Sequence, residues 1–255
     1  MSHPHTIPVL GKALRVVQAL VEDGEAATCA ELAGRLSISP STCYRILQTF
    51  VAHDWLRPSA SGSFIFSTGL LPLLEPLSDY RRLFDHLKGP LERLGEETGL
   101  TAKISVKQGD RALTVYRVES SRGFSPSSKI GASFPLGYGS SGACLLSGLP
   151  DDEVARVIEE SPGEVWRLQT REDVWGRVRE VRKKRVCYDA GQFQPAVHGA
   201  SSPVDGPDGK VFAAVTVVGW AEDFQGRKLA GIKRRICACT SDCTRLFGEA
   251  RSCQL

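Results

Sequence analysis

The sequence predicts an α+β fold in two parts, and three observations carry that prediction. Apolar residues recur at helical spacing through the first fifty residues, punctuated by helix-start signals. From Leu100 onward the period changes to strict alternation. The alternating runs are joined by short Gly/Asp turns, which makes the C-terminal sheet mainly antiparallel. The chain has 255 residues, enough for two separate cores. Its net charge of +3 is too small to name a partner. No apolar run approaches the roughly 20 residues that cross a bilayer. The opening "MSHPHTIPVL" lacks the basic-then-apolar pattern of a secretory signal. A cytoplasmic protein is therefore expected, with its eight cysteines as free thiols.

The first helix is expected from about Val9 to Asp23, with Leu10, Leu14, Val17 and Val21 as its inward stripe and Gly24 ending it. In "TCAELAGRL", Thr28 and Glu31 have the spacing of a capping box, and Leu32 and Leu36 face inward. After a tight turn at Ser37-Ile38-Ser39, Ser39 is a good N-cap and Pro40 suits the first helical position. The third helix, "STCYRILQTFVAH", turns Cys43, Ile46, Leu47 and Phe50 inward and leaves Ser41, Thr42, Tyr44, Arg45 and Gln48 free. Two short helices around a tight turn, the second carrying small polar groups and an arginine, form a helix-turn-helix pattern. "WLRPSASGSFIFS" then reads as a hairpin, a wing carrying Arg57.

Residues 67–98 read as a connector. Pro72 and Pro76 interrupt its start. A helix follows from about Asp79 to Thr98, with Leu83, Leu87, Leu91 and Leu94 on one side and a kink expected at Pro90. "LTAKISVK" and "RALTVYRVES" are strands joined at Gln108-Gly109-Asp110. A short helix is expected over Ala143 to Ser147, and longer ones over about 151–160, 171–185 and 226–248. "VCYDAG", "HGASSPV" and "KVFAAVTVVG" supply three more strands. The domain boundaries expected are 1–68, 69–98 and 99–255.

"GYGSSG", residues 137–142, fits the G-x-G-x-x-G spacing of a dinucleotide-binding turn. That fingerprint also needs a strand before it, a long helix after it and an acidic residue about 20 positions on. Here Pro135 lies just before the loop and Gly148-Leu149-Pro150 end the helix early. What survives is a helix start whose free N–H groups can hold an anion. A nucleotide-dependent enzyme remains the alternative from a different class.

Three further candidates are weaker. Cys237, Cys239 and Cys243 in "CACTSDC" could bind metal or sense oxidants, but on a helix only Cys239 and Cys243 share a face. Arg182-Lys183-Lys184-Arg185 complements the end of a helix dipole. Asp189, His198 and Ser140 or Ser141 could be imagined as a hydrolytic set, without the nucleophile-elbow motif.

The winged helix, the connector, "RVES", "PLGYGSSGACLLSGLPDDEV", "YDAGQFQPAVHGASSPV" and "DGKVFAAVTVVG" occur in one order and spacing. Together they resemble the IclR-type bacterial transcriptional regulators over nearly the whole chain. The resemblance implies a winged helix-turn-helix DNA-binding domain and a GAF-like effector-binding domain. It implies a homodimer or homotetramer on a palindromic operator in double-stranded DNA, with no cofactor. Ser41, Thr42 and Arg45 match the family's DNA-contacting positions; Tyr44 stands where His is common, and Pro40 where Lys is frequent. Ser141 and Gly142 match the loop that holds an effector carboxylate. Asp189, Gly199, Thr216 and Val218 match further pocket positions. Gly199 replaces a Cys and Val218 a Ser found in some members, which implies a larger, less polar acid than a two- or three-carbon keto acid. An effector-independent DNA-binding protein is the remaining alternative.

Overall fold

The computed structural model describes residues 7–23, 26–122, 126 and 129–252. These divide into two compact units, Met1–Asp79 and Tyr80–Leu255. The first holds helices α1 (Pro8–Asp23), α2 (Cys29–Leu36) and α3 (Pro40–Ala52), then an antiparallel hairpin of β1 (Leu56–Pro58) and β2 (Phe64–Phe66). Ala27 pairs with Phe64, so the chain before α2 extends the wing by one bridge. The core joins Val16, Ala19 and Leu20 of α1 to Leu32, Ile38, Cys43, Leu47, Leu56 and Phe64.

Thr28 caps α2 with a full capping box, as its spacing with Glu31 predicts. Ser37 ends α2 in the left-handed conformation, and Ser39 and Pro40 open α3. The expected stripe of α1 is corrected: Leu10, Leu14 and Val21 are exposed, and Val16, Ala19 and Leu20 are buried instead. The helix carries two adjacent apolar stripes about 100° apart. Periodicity cannot choose between them when both are apolar. Gly24 lies outside the described residues, and so does the Leu83 side chain.

After the short α4 (Leu71–Leu74), which belongs to the first unit, α5 (Ser78–Thr98) leads into the second. The α5 helix runs through Pro90 as one element. Its Leu87, Leu91 and Leu94 are fully buried against the sheet. That sheet has six strands in the order β5-β4-β3-β8-β7-β6, all antiparallel. They are β3 (Thr101–Gln108), β4 (Arg111–Val118), β5 (Ser133–Pro135), β6 (Cys187–Gln194), β7 (Val197–Asp205) and β8 (Val211–Trp220). Helices α6 (Gly139–Ser147), α7 (Asp151–Glu160) and α8 (Arg171–Lys184) lie in the chain between β5 and β6, and α9 (Arg227–Ser252) closes it.

The sheet is covered on both faces. Ala102, Ile104, Ala200, Val215 and Val217 share one core with α5 and α9. Ala112, Cys187 and Ala214 share the other with α6, α7 and α8. Two elements differ from expectation. The three-residue β5 is too short to show alternation. The α6 helix begins at Gly139, four residues earlier than its apolar run suggests, because its first turn is glycine and serine.

Candidate functional site

On α3, Ser41, Tyr44, Arg45 and Gln48 are exposed, with Thr42 half-buried. The Ser39 hydroxyl accepts the Thr42 N–H at 3.4 Å and donates to Thr42 Oγ1 at 2.8 Å. These two bonds tie the Thr42 backbone and hydroxyl to the N-cap of α3. Tyr44 is 54% exposed, a large solvated ring beside the arginine. Opposite this face, Cys43 and Leu47 are fully buried and fix the helix rotation. On the wing, Arg57 is exposed and pairs across the hairpin with Ile65. The structure thus presents Ser41, Thr42, Tyr44 and Arg45 on one side of one helix, with Arg57 on the separate hairpin.

The residues expected at the effector pocket on β6, β7 and β8 are brought together by strand register. Asp189 of β6 pairs with Gly199 of β7, Gly199 with Val218 of β8, and Val218 with Thr101 of β3. The next row on the same face is Cys187, Ser201, Thr216 and Lys103. Directly paired residues project to the same face, two positions from the next of their kind. The α6 helix lies on this face. Ser140 Oγ is 2.7 Å from Ser201 Oγ, and Ser201 Oγ is 2.8 Å from Thr216 Oγ1. The Cys187 thiol donates to the Ser140 carbonyl at 3.4 Å.

The glycine loop has a specific build. Gly139 takes φ +62°, a left-handed conformation that suits glycine. A methyl group at Gly142 would run into the Leu136 carbonyl, so Gly142 permits close packing of α6 on the preceding chain. Asp189 is buried, with Oδ2 3.1 Å from where a Cβ of Gly139 would lie. Its Oδ1 accepts the Gln192 N–H at 2.8 Å. Burial pushes the Asp189 carboxyl above its ordinary range. The space that Gly199 leaves is partly filled, because a Cβ there would lie 3.2 Å from Ser140 Oγ. The smaller residue lets α6 approach as well as enlarging the face.

Three features escaped the sequence reading. Lys103 is only 8% exposed on the α6 face, and burial pushes its ammonium down to about 8. Its Nζ stands 5.4 Å from the centre of the Phe134 ring. Phe134 of β5 meets Phe193 of β6 at 5.4 Å, and Phe193 meets Tyr138 at 4.6 Å. β5 and β6 are the two edges of the sheet, so its curl closes an aromatic roof on one side. Arg177 of α8 is buried and donates to Gln192 and Gln169 side chains. Gln169 in turn donates to the Gly137 carbonyl at 2.7 Å. One guanidinium thus braces both the glycine loop, through Gln169, and the part of β6 that follows Asp189.

The hydrolytic grouping is excluded by the strand geometry. His198 bonds to Tyr188 and packs near Phe224, while its neighbour Gly199 projects with Ser140 to the other face. Cys239 and Cys243 are buried in the core and Cys237 lies to the side. Among the described residues no cluster of His, Cys, Asp or Glu could hold a metal ion. Arg182 donates to the carbonyls of Ser147 and Leu149, holding the C-terminal end of α6, and Arg185 pairs with Asp205. Among the described residues no helix is long and apolar enough to cross a membrane.

Comparisons with known proteins place these parts. Residues 79–245 match the model for the C-terminal region of the bacterial transcriptional regulator IclR, and residues 9–60 match the IclR helix-turn-helix domain. The HTH-type transcriptional regulator RhmR of Escherichia coli (strain K12) is 25% identical over 248 residues, covering 95% of this chain and 94% of that one. The HTH-type regulator BhcR of Paracoccus denitrificans (strain Pd 1222) is 26% identical over 224 residues, 84% of this chain and 77% of its own. Among solved structures, an IclR regulator from Alicyclobacillus acidocaldarius superposes with TM-score 0.76 at 22% identity, over 96% of this chain and all of that one. An IclR homolog from Microbacterium hydrocarbonoxydans, complexed with 4-hydroxybenzoate, gives TM-score 0.79 at 17% identity over 94% and 98% of the two chains.

Proposed function

The chain belongs to the IclR family of bacterial transcriptional regulators and is a DNA-binding regulator rather than an enzyme; from that premise we propose that it is a sensor of a small organic acid. The reading rests chiefly on the register row Asp189–Gly199–Val218–Thr101, with Thr216 in the next row, beneath the α6 N-terminus. Polar groups buried in such number on one sheet face are costly unless they are bonded or serve a ligand. The first turn of α6, Gly139 to Ser141, carries N–H groups without an intrahelical acceptor and the positive end of the helix dipole. The 4-hydroxybenzoate bound by the Microbacterium homolog supports a ring-bearing acid as the effector class.

Operator contact is assigned to Ser41, Thr42, Tyr44 and Arg45 of α3 and to Arg57 of the wing. A hydroxyl can bond phosphate or a base edge, and an arginine can grip guanine with two bonds. A homodimer or homotetramer on a palindromic operator suits this layout, because two-fold protein symmetry mirrors two-fold operator symmetry. The exposed Leu10, Leu14 and Val21 on α1 are the kind of apolar surface that contact with another chain covers. Residues 69–98 connect the two functions. The acid changes operator affinity by binding one arrangement of the oligomer better than another.

A mobility-shift assay on the DNA upstream of the protein's own gene tests the reading. Binding should weaken tenfold or more in Arg45→Ala, on the scale of one lost bidentate contact of about 1–3 kcal/mol. It should also change when 4-hydroxybenzoate or another organic acid is added. Retention of the shift with no response to any acid would leave an effector-independent DNA-binding protein.

A further inference from the structure

We propose that Arg177 of α8 is a positioning residue of the effector site. It sets the affinity for the acid by holding the glycine loop and a bulge of β6 in one arrangement, without touching the ligand. The inference rests on the acid-sensor reading and adds a residue outside the expected pocket positions. Three observations lead there.

The guanidinium is placed at a cost. Arg177 is buried, and its two terminal nitrogens donate to the Gln169 and Gln192 side-chain oxygens. Its Nε is buried too and meets no acceptor among the described residues. A buried cation held by neutral amides is a poor source of stability, because such partners offset little of the lost hydration. What the planar fork does supply is geometry. Two donors at a fixed separation hold two amides in a fixed relation.

The two amides lead to two irregular stretches of chain. Gln169 donates to the Gly137 carbonyl at 2.7 Å and to the Val165 carbonyl at 3.2 Å. Gly137 begins the loop that enters α6 through the left-handed Gly139. Gln192 lies in a bulge: β6 advances from Asp189 to Gln194 while β7 moves only from Gly199 to Val197. Gly191 takes φ +83° there, and its backbone passes the Pro195 carbonyl too closely to admit a Cβ. Ladder bonds are interrupted at a bulge, so its shape has to be held by other groups. One side chain from α8 ties this bulge to the loop.

Both stretches border the expected pocket positions. The Gln192 N–H bonds to Asp189 Oδ1 at 2.8 Å, and Asp189 Oδ2 lies 3.1 Å from the Cβ position of Gly139. Phe193 follows Gln192 and Tyr138 follows Gly137, and these two rings meet at 4.6 Å. The arms of the fork therefore end beside the two sides of the same contacts, ring to ring and carboxyl to loop. Without the fork the loop and the bulge can separate, and a shift of about 1 Å is enough to loosen a binding site.

The experiment compares full-length wild type with Arg177→Met, Arg177→Lys, Gln169→Leu and Gln192→Leu. Calorimetry reads the affinity for 4-hydroxybenzoate, benzoate and pyruvate. Hydrogen exchange read by mass spectrometry follows the same proteins without ligand. Arg177→Met should weaken the acid that binds wild type by about ten- to a hundredfold, the scale of a hydrogen bond to a charged group. Exchange should quicken by roughly tenfold in residues 136–142 and 189–194, while β8 and α9 exchange as in wild type. Gln169→Leu should loosen the first stretch and Gln192→Leu the second. Arg177→Lys keeps the charge but loses the fork, so it should remain about tenfold weakened. Full affinity in Arg177→Lys would make the role one of charge and overturn the positioning assignment. Unchanged acid affinity in Arg177→Met, or exchange quickened equally in β8 and α9, also overturns it while the sensor reading stands. Should circular dichroism show Arg177→Met unfolded, unchanged affinity in both glutamine variants overturns it instead. If no acid binds wild type, the sensor reading falls and takes this assignment with it.

Discussion

At the scale of the residue, a buried lysine has a thermodynamic signature that does not depend on any ligand. The Lys103 ammonium sits at about 8 in the folded protein against an ordinary 10.5, because burial disfavours the charged form. Below pH 8 both folded and unfolded chains carry the proton, and the full cost of burying the charge is present. Between about 8 and 10.5 the unfolded chain binds more protons than the folded one, so stability rises with pH across that window. The shift corresponds to roughly 3 kcal/mol at about 1.4 kcal/mol per pH unit. Lys103→Met should therefore be more stable than wild type at pH 7, by up to that amount, with the difference shrinking toward pH 10. Urea midpoints of both proteins at pH 7 and 10 check it. A constant difference between the two proteins would show that the lysine is not desolvated. This residue was hidden in the sequence for a physical reason. In "TAKISVK" the alternation of Thr101, Lys103 and Ser105 with Ala102 and Ile104 reads as a polar face toward water. Here both faces are covered, and the polar positions line the interior.

At the scale of the element, what was legible depended on whether local chemistry alone decided the outcome. The α2 and α3 boundaries follow from Thr28, Glu31, Ser39 and Pro40, whose effects act within one turn. The facing of α1 did not follow, because two neighbouring apolar stripes compete and only the packing of α2 and α3 selects Val16, Ala19 and Leu20. Asp189, Gly199, Val218 and Thr216 were reached through resemblance, while their alignment in adjacent rows depends on the pairing of β6, β7, β8 and β3, which no single segment encodes. The aromatic roof joins residues from the two sheet edges and escapes any local pattern. The glycine loop is a case where local rules and packing oppose each other. Helix propensity alone favours alanine over glycine at Gly142 by about 1 kcal/mol. The Leu136 carbonyl occupies the space that the methyl group needs. Packing should prevail: Gly142→Ala should lower stability by about 1–3 kcal/mol, the usual cost of overpacking, and should weaken acid binding by displacing the start of α6. A thermal melt together with calorimetry tests both. A more stable variant would mean that α6 can retreat from Leu136 without loss.

At the scale of the whole molecule, the distribution of charge constrains how the regulator holds DNA. Residues 1–75 contain Lys12, Arg15, Arg35, Arg45 and Arg57 against six acidic residues. A net charge of 5 − 6 = −1 for that half gives little general attraction to phosphate, so binding has to depend on a few placed cations rather than on a diffuse field. If Arg45 and Arg57 of each subunit are the cations that meet DNA, a dimer neutralises about four phosphates. The observed affinity should then fall with a log–log salt slope of about −4, close to a hundredfold between 50 and 200 mM salt. Were all five cations of each subunit in contact, about ten phosphates would be neutralised and the slope would approach −9. Fluorescence anisotropy of a labelled operator across that salt range separates the two arrangements. Arg57→Ala should then reduce the slope by about two per dimer and weaken all sequences alike, as loss of a phosphate contact does. Arg45→Ala should also relax discrimination between operator and unrelated DNA, as loss of a base contact does. A steep slope that neither substitution changes would move the interface away from α3 and the wing, to the cations of α1 and α2.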